Sequence, residues 1–265
     1  MEKISVIIPY YNEEKVIKRA VLSALHQVGV HTEILIVDDY SIKPVPDEVK
    51  KLERVTVIRH KSNKGGGAAR NTGANNANYD YLALLDADDF MQPNKLELQV
   101  STLKKFSSDC NLCWGVKENG ITIGYKGNRN NIFNEILLGD EDIGASSSIL
   151  VSKMSYFECG GFDPLLTRHQ DLDFMLSLLD FGGKVSIIQE VLFNKYHSGS
   201  PSFYSVLGGI FLFLKKWLQR ASSPNRLLSR KYYRFATSAA RHYKFPEMVA
   251  FLFLSITYRV LSFKE

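Results

Sequence analysis

Short apolar runs rich in β-branched residues recur in the first third of this 265-residue chain and constrain its fold more than any other feature. They are ISVII at 4–8, EILIV at 33–37, VTVIR at 55–59 and YLALL at 81–85. Runs that are apolar at nearly every position are typical of strands covered on both faces. Between the first two runs, residues 12–27 carry apolar side chains at helical spacing. This order of strand, helix and strand predicts an α/β fold with a mostly parallel sheet.

Local signals predict where several elements begin. Asn12 is expected to cap the first helix, with Glu13 and Glu14 in its first turn. Two further helices are predicted at 65–78 and 93–106, the second beginning at Pro93. Later strands are predicted at 112–116, in SSSILVSK at 146–153 and in GKVSII at 183–188.

Polar side chains follow three of the predicted strands directly. The first strand is followed by PYYNE, the second by DDYS (Asp38 to Ser41) and the fourth by DADD (Asp86 to Asp89). Ligands of open α/β sheets bind beyond the carboxyl ends of the strands. A single acidic strand end is more often a turn or a helix cap, but the convergence of three predicted strand ends predicts a binding site.

The glycine-rich segment GGGAARNTG does not predict a dinucleotide site. A GxGxxG motif beginning at Gly65 requires glycine at position 70, which is Arg70. The segment instead predicts a flexible loop that leads into a helix carrying an arginine in its first turns, an arrangement suited to phosphate.

Five segments together resemble the family 2 glycosyltransferases of the GT-A fold, in particular the non-processive bacterial enzymes that build surface glycans. They are SVIIPYYNEEKVIKRAVLSALHQ, EILIVDDYS, NKGGGAARNTG, YLALLDADDFMQPNKLE and FECGGFDPLLTRHQDLDF, in the family's order and approximate spacing. The resemblance covers roughly residues 3–200. It implies a Rossmann-like nucleotide-binding sheet flanked by helices, and an inverting sugar transfer that depends on Mn²⁺ or Mg²⁺.

The resemblance also implies a nucleotide-sugar donor, with a UDP-sugar as the expected one, and roles for individual residues in binding it. The metal ligands would be Asp88 of the DAD motif and His197, the latter open to a purely structural role. Asp38, beside Asp39, and Arg168 are weaker candidates, the arginine for the donor phosphates or the base. The nucleotide site would be formed by Pro9, Tyr11, Glu13, Asp39, Arg70 and Asp86.

Two departures from the family pattern bear on this site. Tyr40 stands where glycine is common, and Gln170 stands where glutamate is common. The second departure leaves Asp171 or Asp173 as the catalytic base, and we favour Asp171. The alternative is that both aspartates cap the helix predicted at 172–179.

The charge of the chain is divided unevenly. Residues 1–200 carry 22 Lys and Arg against 26 Asp and Glu, whereas residues 201–265 carry 11 against 2. The basic segment contains two apolar stretches shorter than the roughly 20 residues that span a bilayer. Membrane-surface docking, ordinary helix packing and nucleic-acid binding are the alternatives; we favour the first, and no known motif supports the last.

These features predict a GT-A domain at 1–202, with a nucleotide-sugar half at 1–106 and an acceptor and catalytic-base half at 107–202. A helical, basic extension follows at 203–265. The start of the chain has neither the pattern of a signal peptide nor that of a membrane anchor, and Cys110 and Cys113 are interpreted as packing residues. We expect a cytoplasmic enzyme, peripheral at the inner face of the plasma membrane, that passes a sugar to a glycan or lipid-linked acceptor. A non-catalytic nucleotide-binding scaffold is the alternative.

Overall fold

The computed structural model describes residues 1–127, 131–139, 143–196, 203–241 and 244–262. Its strands are β1 (Glu2–Tyr10), β2 (Val30–Asp38), β3 (Val55–Arg59), β4 (Tyr81–Leu84), β5 (Phe90–Met91), β6 (Cys110–Lys117), β7 (Thr122–Ile123), β8 (Ile149–Ser152) and β9 (Val185–Lys195). Its helices are α1 (Ile17–Leu25), α2 (Asp47–Lys50), α3 (Gly66–Asn76), α4 (Lys95–Lys105), α5 (Ile132–Leu138), α6 (Lys153–Glu158), α7 (Gln170–Asp180), α8 (Phe203–Trp217), α9 (Pro224–Arg241) and α10 (Phe245–Ser262).

The strands form one sheet in the order β3-β2-β1-β4-β8-β6-β9-β5, with β7 paired to β6. The first four strands of this order run parallel. Beyond them the sheet is mixed, because β8 runs antiparallel to both β4 and β6 while β6 and β9 are parallel. The predicted α/β fold class is confirmed, and the parallel half contains the strands predicted from the apolar runs.

Strand β1 shows why those runs are apolar at nearly every position. Alternate side chains of a strand point to opposite faces of the sheet. Ile7 accordingly packs in a core on one face, and Val6 and Ile8 pack in a core on the other. On the Ile7 side, helix α3 approaches so closely that a Cβ on Gly73 would lie 2.4 Å from Ile7 Cγ2. Glycine at this position therefore lets α3 lie directly against the sheet.

Several predicted boundaries are wrong. Helix α1 begins at Ile17, and Asn12 does not cap it, because Asn12 has a left-handed backbone (φ 57°) and its Oδ1 accepts a hydrogen bond from the Lys43 N–H at 3.0 Å. Pro93 precedes α4, which begins at Lys95. The serines at 146–148 form a short 3-10 helix before β8.

The basic C-terminal segment is helical and packs on the body. Helix α8 buries Ile210, Phe213 and Trp217, and the last two belong to the core cluster beneath the sheet. Helices α9 and α10 pack on each other, and the Tyr232 ring stacks with the rings of Phe251 and Tyr258. Helix packing therefore accounts for part of this segment, while membrane docking stays a prediction. In the part of the chain that the structure describes, no helix is both long and apolar enough to cross a bilayer.

Candidate active site

The ends of β1, β2 and β4 meet at one edge of the sheet. Tyr10 is paired with Asp38 and Ile7 with Leu84 in parallel register. The polar segments that follow the three strands therefore emerge side by side, as predicted from the sequence. The backbone links them further, since the Asp39 N–H donates to Tyr10 O at 2.9 Å and the Leu85 N–H to Ile7 O at 3.1 Å.

A cavity of about 680 Å³ opens at this edge. Its size is in the range of small-molecule and cofactor sites. It is bounded by the ends of β1 and β4, the start of α3, the loop before β8, the start of α7 and the end of β9. The predicted site residues that line it are Pro9, Tyr11, Glu13, Arg70, Asp86, Asp88, Arg168 and Asp171.

The carboxylates of Asp86, Asp88 and Asp89 form a cluster on the cavity wall. One oxygen from each lies within 4.8 Å of the others. Asp89 is fully buried, accepts hydrogen bonds from Ser147 Oγ at 2.6 Å and from the Tyr196 N–H at 3.0 Å, and so holds the turn in place. Burial, together with the charge of Asp86, raises the pKa of Asp89 to about 7. Three carboxylates this close are a suitable donor set for a hard divalent cation.

Arg70 joins this cluster to the start of α7. Its Nη2 lies 2.6 Å from Asp86 Oδ1, and its Nη1 donates to Gln170 Oε1 at 3.2 Å. Burial alone would raise the pKa of Asp86, but the charges of Arg70 and Lys195 outweigh burial and hold that pKa below its usual range. Asp86 is therefore an ionised carboxylate. Gln170, one of the departures from the family pattern, is a hydrogen-bond partner of Arg70.

Sequence reasoning missed Lys195. This residue ends β9, and its Nζ lies 3.4 Å from Asp86 Oδ2 and 3.5 Å from Asp89 Oδ2. The ammonium group thus balances part of the negative charge of the cluster. The nearest signal in the sequence was the position of Lys195 two residues before His197, in the segment that follows the last predicted strand.

Arg19 supports the loop of the acidic cluster from behind. Its guanidinium donates to the Asp88 carbonyl oxygen at 2.6 Å and lies 3.8 Å from the centre of the Tyr196 ring. Because both Asp88 and Tyr196 line the cavity, this arginine of α1 connects two of its walls. Sequence reasoning assigned it no role.

Asp171 lies in the first turn of α7, where the helix meets the cavity. Its Oδ1 accepts a hydrogen bond from the Leu172 N–H at 2.9 Å. His169, two residues before Asp171, has a left-handed backbone (φ 58°) that turns the chain into the helix. The structure thus brings Asp171 into the same cavity as the acidic cluster.

Asp173, the alternative base, lies elsewhere. It is fully buried, and its two oxygens accept hydrogen bonds from Trp217 Nε1 at 2.7 Å and Lys216 Nζ at 2.9 Å. Two positions along a helix separate its direction from that of Asp171 by about 200°. Asp173 therefore anchors α8 to α7 and is not among the cavity-lining residues.

Asp38, which ends β2, and Asp39, which follows it, are also not among the cavity-lining residues. Asp39 accepts the backbone N–H groups of Lys64 and Gly65 and lies 2.7 Å from His60 Nδ1, so it fixes the glycine loop ahead of α3. Asp38 pairs with Arg59 at 2.8 Å. Base recognition by Asp39 stays a prediction, and His197 lies outside the described residues.

Comparison with known proteins fits this architecture. Residues 5–162, more than half of the chain, match the profile of glycosyl transferase family 2. The chain belongs to this family. An uncharacterized glycosyltransferase of Haemophilus influenzae is 30% identical over 206 residues, which cover 76% of the chain and 67% of that protein. The predicted glycosyltransferase is thus confirmed at the level of the family.

Other similar proteins match more locally or by fold alone. The succinoglycan biosynthesis protein ExoW of Rhizobium meliloti is 40% identical over 118 residues, 42% of this family 2 chain and 37% of ExoW. The chain thus spans well under half of ExoW. The crystal structure of S. aureus TarS in complex with UDP-GlcNAc superposes with a TM-score of 0.63 at 17% identity, covering 97% of this chain and 91% of that one. This likeness shows the GT-A fold.

Proposed function

We propose that this family 2 chain transfers a sugar from a nucleotide donor, in particular a UDP-sugar, to a hydroxyl group of a glycan or lipid-linked acceptor, with inversion at the anomeric carbon. The observation that carries the proposal is the presence of Asp86, Asp88, Arg70 and Asp171 on the walls of one cavity at the carboxyl edge of the sheet. The TarS structure with UDP-GlcNAc supports a nucleotide sugar as the class of donor.

The residues of the acidic cluster fit a divalent metal. Their oxygens are hard ligands, close enough to share one ion. Asp88 would hold Mn²⁺ or Mg²⁺, with Asp86 and Asp89 beside it. When bound, such an ion neutralises the charge that develops on the diphosphate leaving group.

The basic side chains of the cavity would bind the donor around this cluster. Arg70 keeps Asp86 ionised and fixed, and Arg168 and Lys195 add positive charge to the cavity wall. Arginine and lysine both bind phosphate groups, arginine with two parallel hydrogen bonds. Tyr11, half exposed at the end of β1, offers a ring surface against which the base can stack.

Asp171 would act as the general base. Its carboxylate accepts the proton of the acceptor hydroxyl while that oxygen forms a bond to the anomeric carbon. The bond between the anomeric carbon and the diphosphate oxygen breaks at the same time, and the nucleoside diphosphate leaves with the electron pair. The anomeric carbon carries oxocarbenium character in the transition state, as in glycoside hydrolysis. A single displacement of this kind inverts the anomeric configuration.

The acceptor is proposed to belong to a cell-surface polysaccharide pathway, in keeping with the similarity to ExoW, a succinoglycan biosynthesis protein. Acceptors of this kind that are attached to lipid lie at the membrane. The basic, aromatic-rich C-terminal helices would therefore hold the enzyme at the inner face of the plasma membrane.

A donor screen tests the proposal. The purified chain is mixed with a set of nucleotide sugars and Mn²⁺, with and without a lipid-linked acceptor extract, and released nucleoside diphosphate is measured. We expect one donor to be turned over, faster with the acceptor and not at all after chelation of the metal. A chain that binds nucleotide but turns over no donor with any extract would be the non-catalytic scaffold instead.

A further inference from the structure

Gln170 lies at the start of α7, next to Asp171, and both residues line the candidate active site. The two ends of its side-chain amide bind different parts of the chain. Its Oε1 accepts a hydrogen bond from Arg70 Nη1 at 3.2 Å, and its Nε2 donates to the Leu166 carbonyl oxygen at 2.5 Å. The amide therefore joins helix α3 to the loop that leads into α7.

The two partners of Gln170 have opposite hydrogen-bonding character. A guanidinium only donates, and a carbonyl oxygen only accepts. An amide satisfies both at once, because it has an acceptor at one end and donors at the other. A carboxylate of the same length has acceptors alone, so it would place a negative oxygen against the Leu166 carbonyl. The geometry therefore suits an amide at position 170 better than an acid.

The Leu166 carbonyl group is a fixed partner. The Leu166 side chain is buried in the core cluster beneath the sheet, and the Leu166 N–H donates to the Asp163 carbonyl oxygen at 3.2 Å. This backbone cannot follow a displaced side chain without disturbing the core. One end of the Gln170 amide is therefore held in place, and the other end is directed at Arg70.

The first turn of α3 makes room for the amide. A Cβ on Gly67 would lie 3.3 Å from Gln170 Nε2, and a Cβ on Gly66 would lie 3.4 Å from Gln170 Oε1 and 3.1 Å from Arg70 Nη1. A methyl group at either position would press on the contact between the two side chains. The two glycines therefore let the amide lie directly against the helix that carries Arg70.

The Arg70 guanidinium is oriented by contacts on several sides. Its Nη2 pairs with Asp86 at 2.6 Å, and its centre lies 5.2 Å from the centre of the Phe162 ring. The next residue, Asn71, binds the Phe162 backbone through both ends of its own amide, at 2.9 and 2.7 Å. Gln170 supplies the contact on Nη1. A planar fork directed by two oxygens has a defined orientation.

The neutrality of Gln170 bears on what Arg70 can bind. A guanidinium has five N–H donors, and its Nε has no hydrogen-bond partner in the part of the chain that the structure describes. A second carboxylate beside Arg70 would compete with Asp86 for the guanidinium and would repel a phosphate group in the cavity. The Gln170 amide orients the guanidinium without neutralising its charge.

We propose that Gln170 is a positioning residue for the nucleotide donor. Its amide sets the orientation of the Arg70 guanidinium and thereby raises the affinity of the cavity for a nucleoside diphosphate. The inference rests on the proposed function in one respect, that the donor binds on the Arg70 side of the cavity. It concerns nucleotide affinity and not the transfer step itself.

Calorimetric titration in the presence of Mn²⁺ tests the proposal, with UDP or GDP, whichever the unchanged chain binds. Gln170→Met has a similar length but makes neither hydrogen bond, and Gln170→Glu can accept from Arg70 but cannot donate to Leu166. The matched control is Gln189→Glu, which adds the same charge at an exposed position of β9 outside the cavity. Circular dichroism checks that each variant is folded, and Gln170→Asn, whose amide is one carbon shorter, replaces a variant that is not.

We expect Gln170→Met to weaken nucleotide binding about 10-fold, the effect of losing a hydrogen bond to a charged group. Gln170→Glu should weaken it further, although it restores the residue that is common in the family, because the new carboxylate competes for Arg70 and repels the phosphates. The control should bind as tightly as the unchanged chain. Unweakened binding by Gln170→Glu, or no nucleotide binding by the unchanged chain, would overturn the proposal.

A double-mutant cycle tests whether Gln170 acts through Arg70. Gln170→Met is combined with Arg70→Lys, and nucleotide binding is measured for both single variants and the double variant. Once Arg70 is lysine, we expect Gln170→Met to weaken binding by less than about twofold. Equal losses in the two backgrounds would show that Gln170 acts on the nucleotide independently of Arg70, and would overturn the proposed role.

Urea unfolding of the same four proteins without ligand distinguishes this inference from the proposed function. Unfolding measures the coupling of Gln170 to Arg70 with neither nucleotide nor turnover, and we expect the two substitutions to be non-additive there as well. Coupling in unfolding with unchanged nucleotide affinity would make Gln170 a structural residue only. A chain that binds nucleotide through Gln170 and Arg70 but transfers no sugar would contradict the proposed reaction and leave the positioning role intact.

Discussion

Arg70 Nη2 lies 2.6 Å from Asp86 Oδ1, and this partly buried ion pair connects helix α3 to the turn that carries the acidic cluster. The same guanidinium reaches Gln170 at the start of α7, next to Asp171. One side chain therefore links the proposed leaving-group side of the cavity to the proposed base.

Arg70→Lys is expected to lower kcat/KM for the donor by roughly 10-fold to 100-fold, because lysine keeps the charge but cannot bind Asp86 and Gln170 with a planar fork. The matched control is Arg59→Lys, which alters the Arg59–Asp38 pair outside the cavity. Steady-state kinetics at saturating acceptor measures both variants. Equal kinetics for Arg70→Lys and the unchanged chain would mean that this link has no part in the reaction.

Asp88→Asn is expected to weaken Mn²⁺ binding by at least about 10-fold, because the amide removes a charged oxygen from the cluster. Asp80→Asn is the control, since Asp80 is exposed and lies just before the opposite end of β4. Isothermal titration of the donor-free protein with Mn²⁺ gives both affinities. If Asp88→Asn bound the ion as tightly as the control, the metal would lie elsewhere.

Lys195→Met is expected to change two affinities in opposite directions. Removing the ammonium group from beside Asp86 and Asp89 leaves the cluster more negative, so Mn²⁺ should bind severalfold more tightly. The nucleoside diphosphate should bind more weakly, because its phosphates lose a positive neighbour. Titration with each ligand separately measures the two effects, and a loss of both affinities would point to a structural role for Lys195 alone.

Lys95→Met is expected to stabilise the protein. The Lys95 ammonium is fully buried, has no hydrogen-bond partner within the described ranges, and its pKa is lowered by burial. The unfolded chain binds a proton on this lysine below the normal lysine pKa of about 10.4, whereas the folded chain binds it less readily. The free energy of unfolding therefore falls as the pH is lowered through this range. The substitution should add about 1–3 kcal/mol at pH 7.

The gain from Lys95→Met should shrink as the pH rises towards 10. Urea unfolding at pH 7 and pH 9.5 measures the difference, with Lys104→Met on the exposed side of the same helix as the control. A variant that is less stable than the unchanged chain at pH 7 would show that the buried ammonium is satisfied.

Sequence reasoning found the edge of the sheet because the apolar runs identify β1, β2 and β4 and the residues after them share that edge. It could not tell which carboxylates face the cavity. Asp173 is bound by Trp217, a partner 44 residues further along the chain, and Asp39 by the glycine loop, and neither lines the cavity. Lys195 was missed for the same reason, since its partners lie more than 100 residues earlier.

The proposed mechanism depends most on Asp171 as the general base, and one comparison of two variants tests this role directly. Sugar transfer at saturating donor and acceptor is measured for Asp171→Asn and for Asp180→Asn, a matched change at the other end of α7 where the carboxylate pairs with exposed Arg220. Donor binding and melting temperature are measured for both. We predict that Asp171→Asn lowers kcat by roughly 100-fold or more, because the general base is lost. Donor binding and folding should be retained in this variant. Asp180→Asn should transfer the sugar at the normal rate. Full transfer by Asp171→Asn would contradict the proposed mechanism.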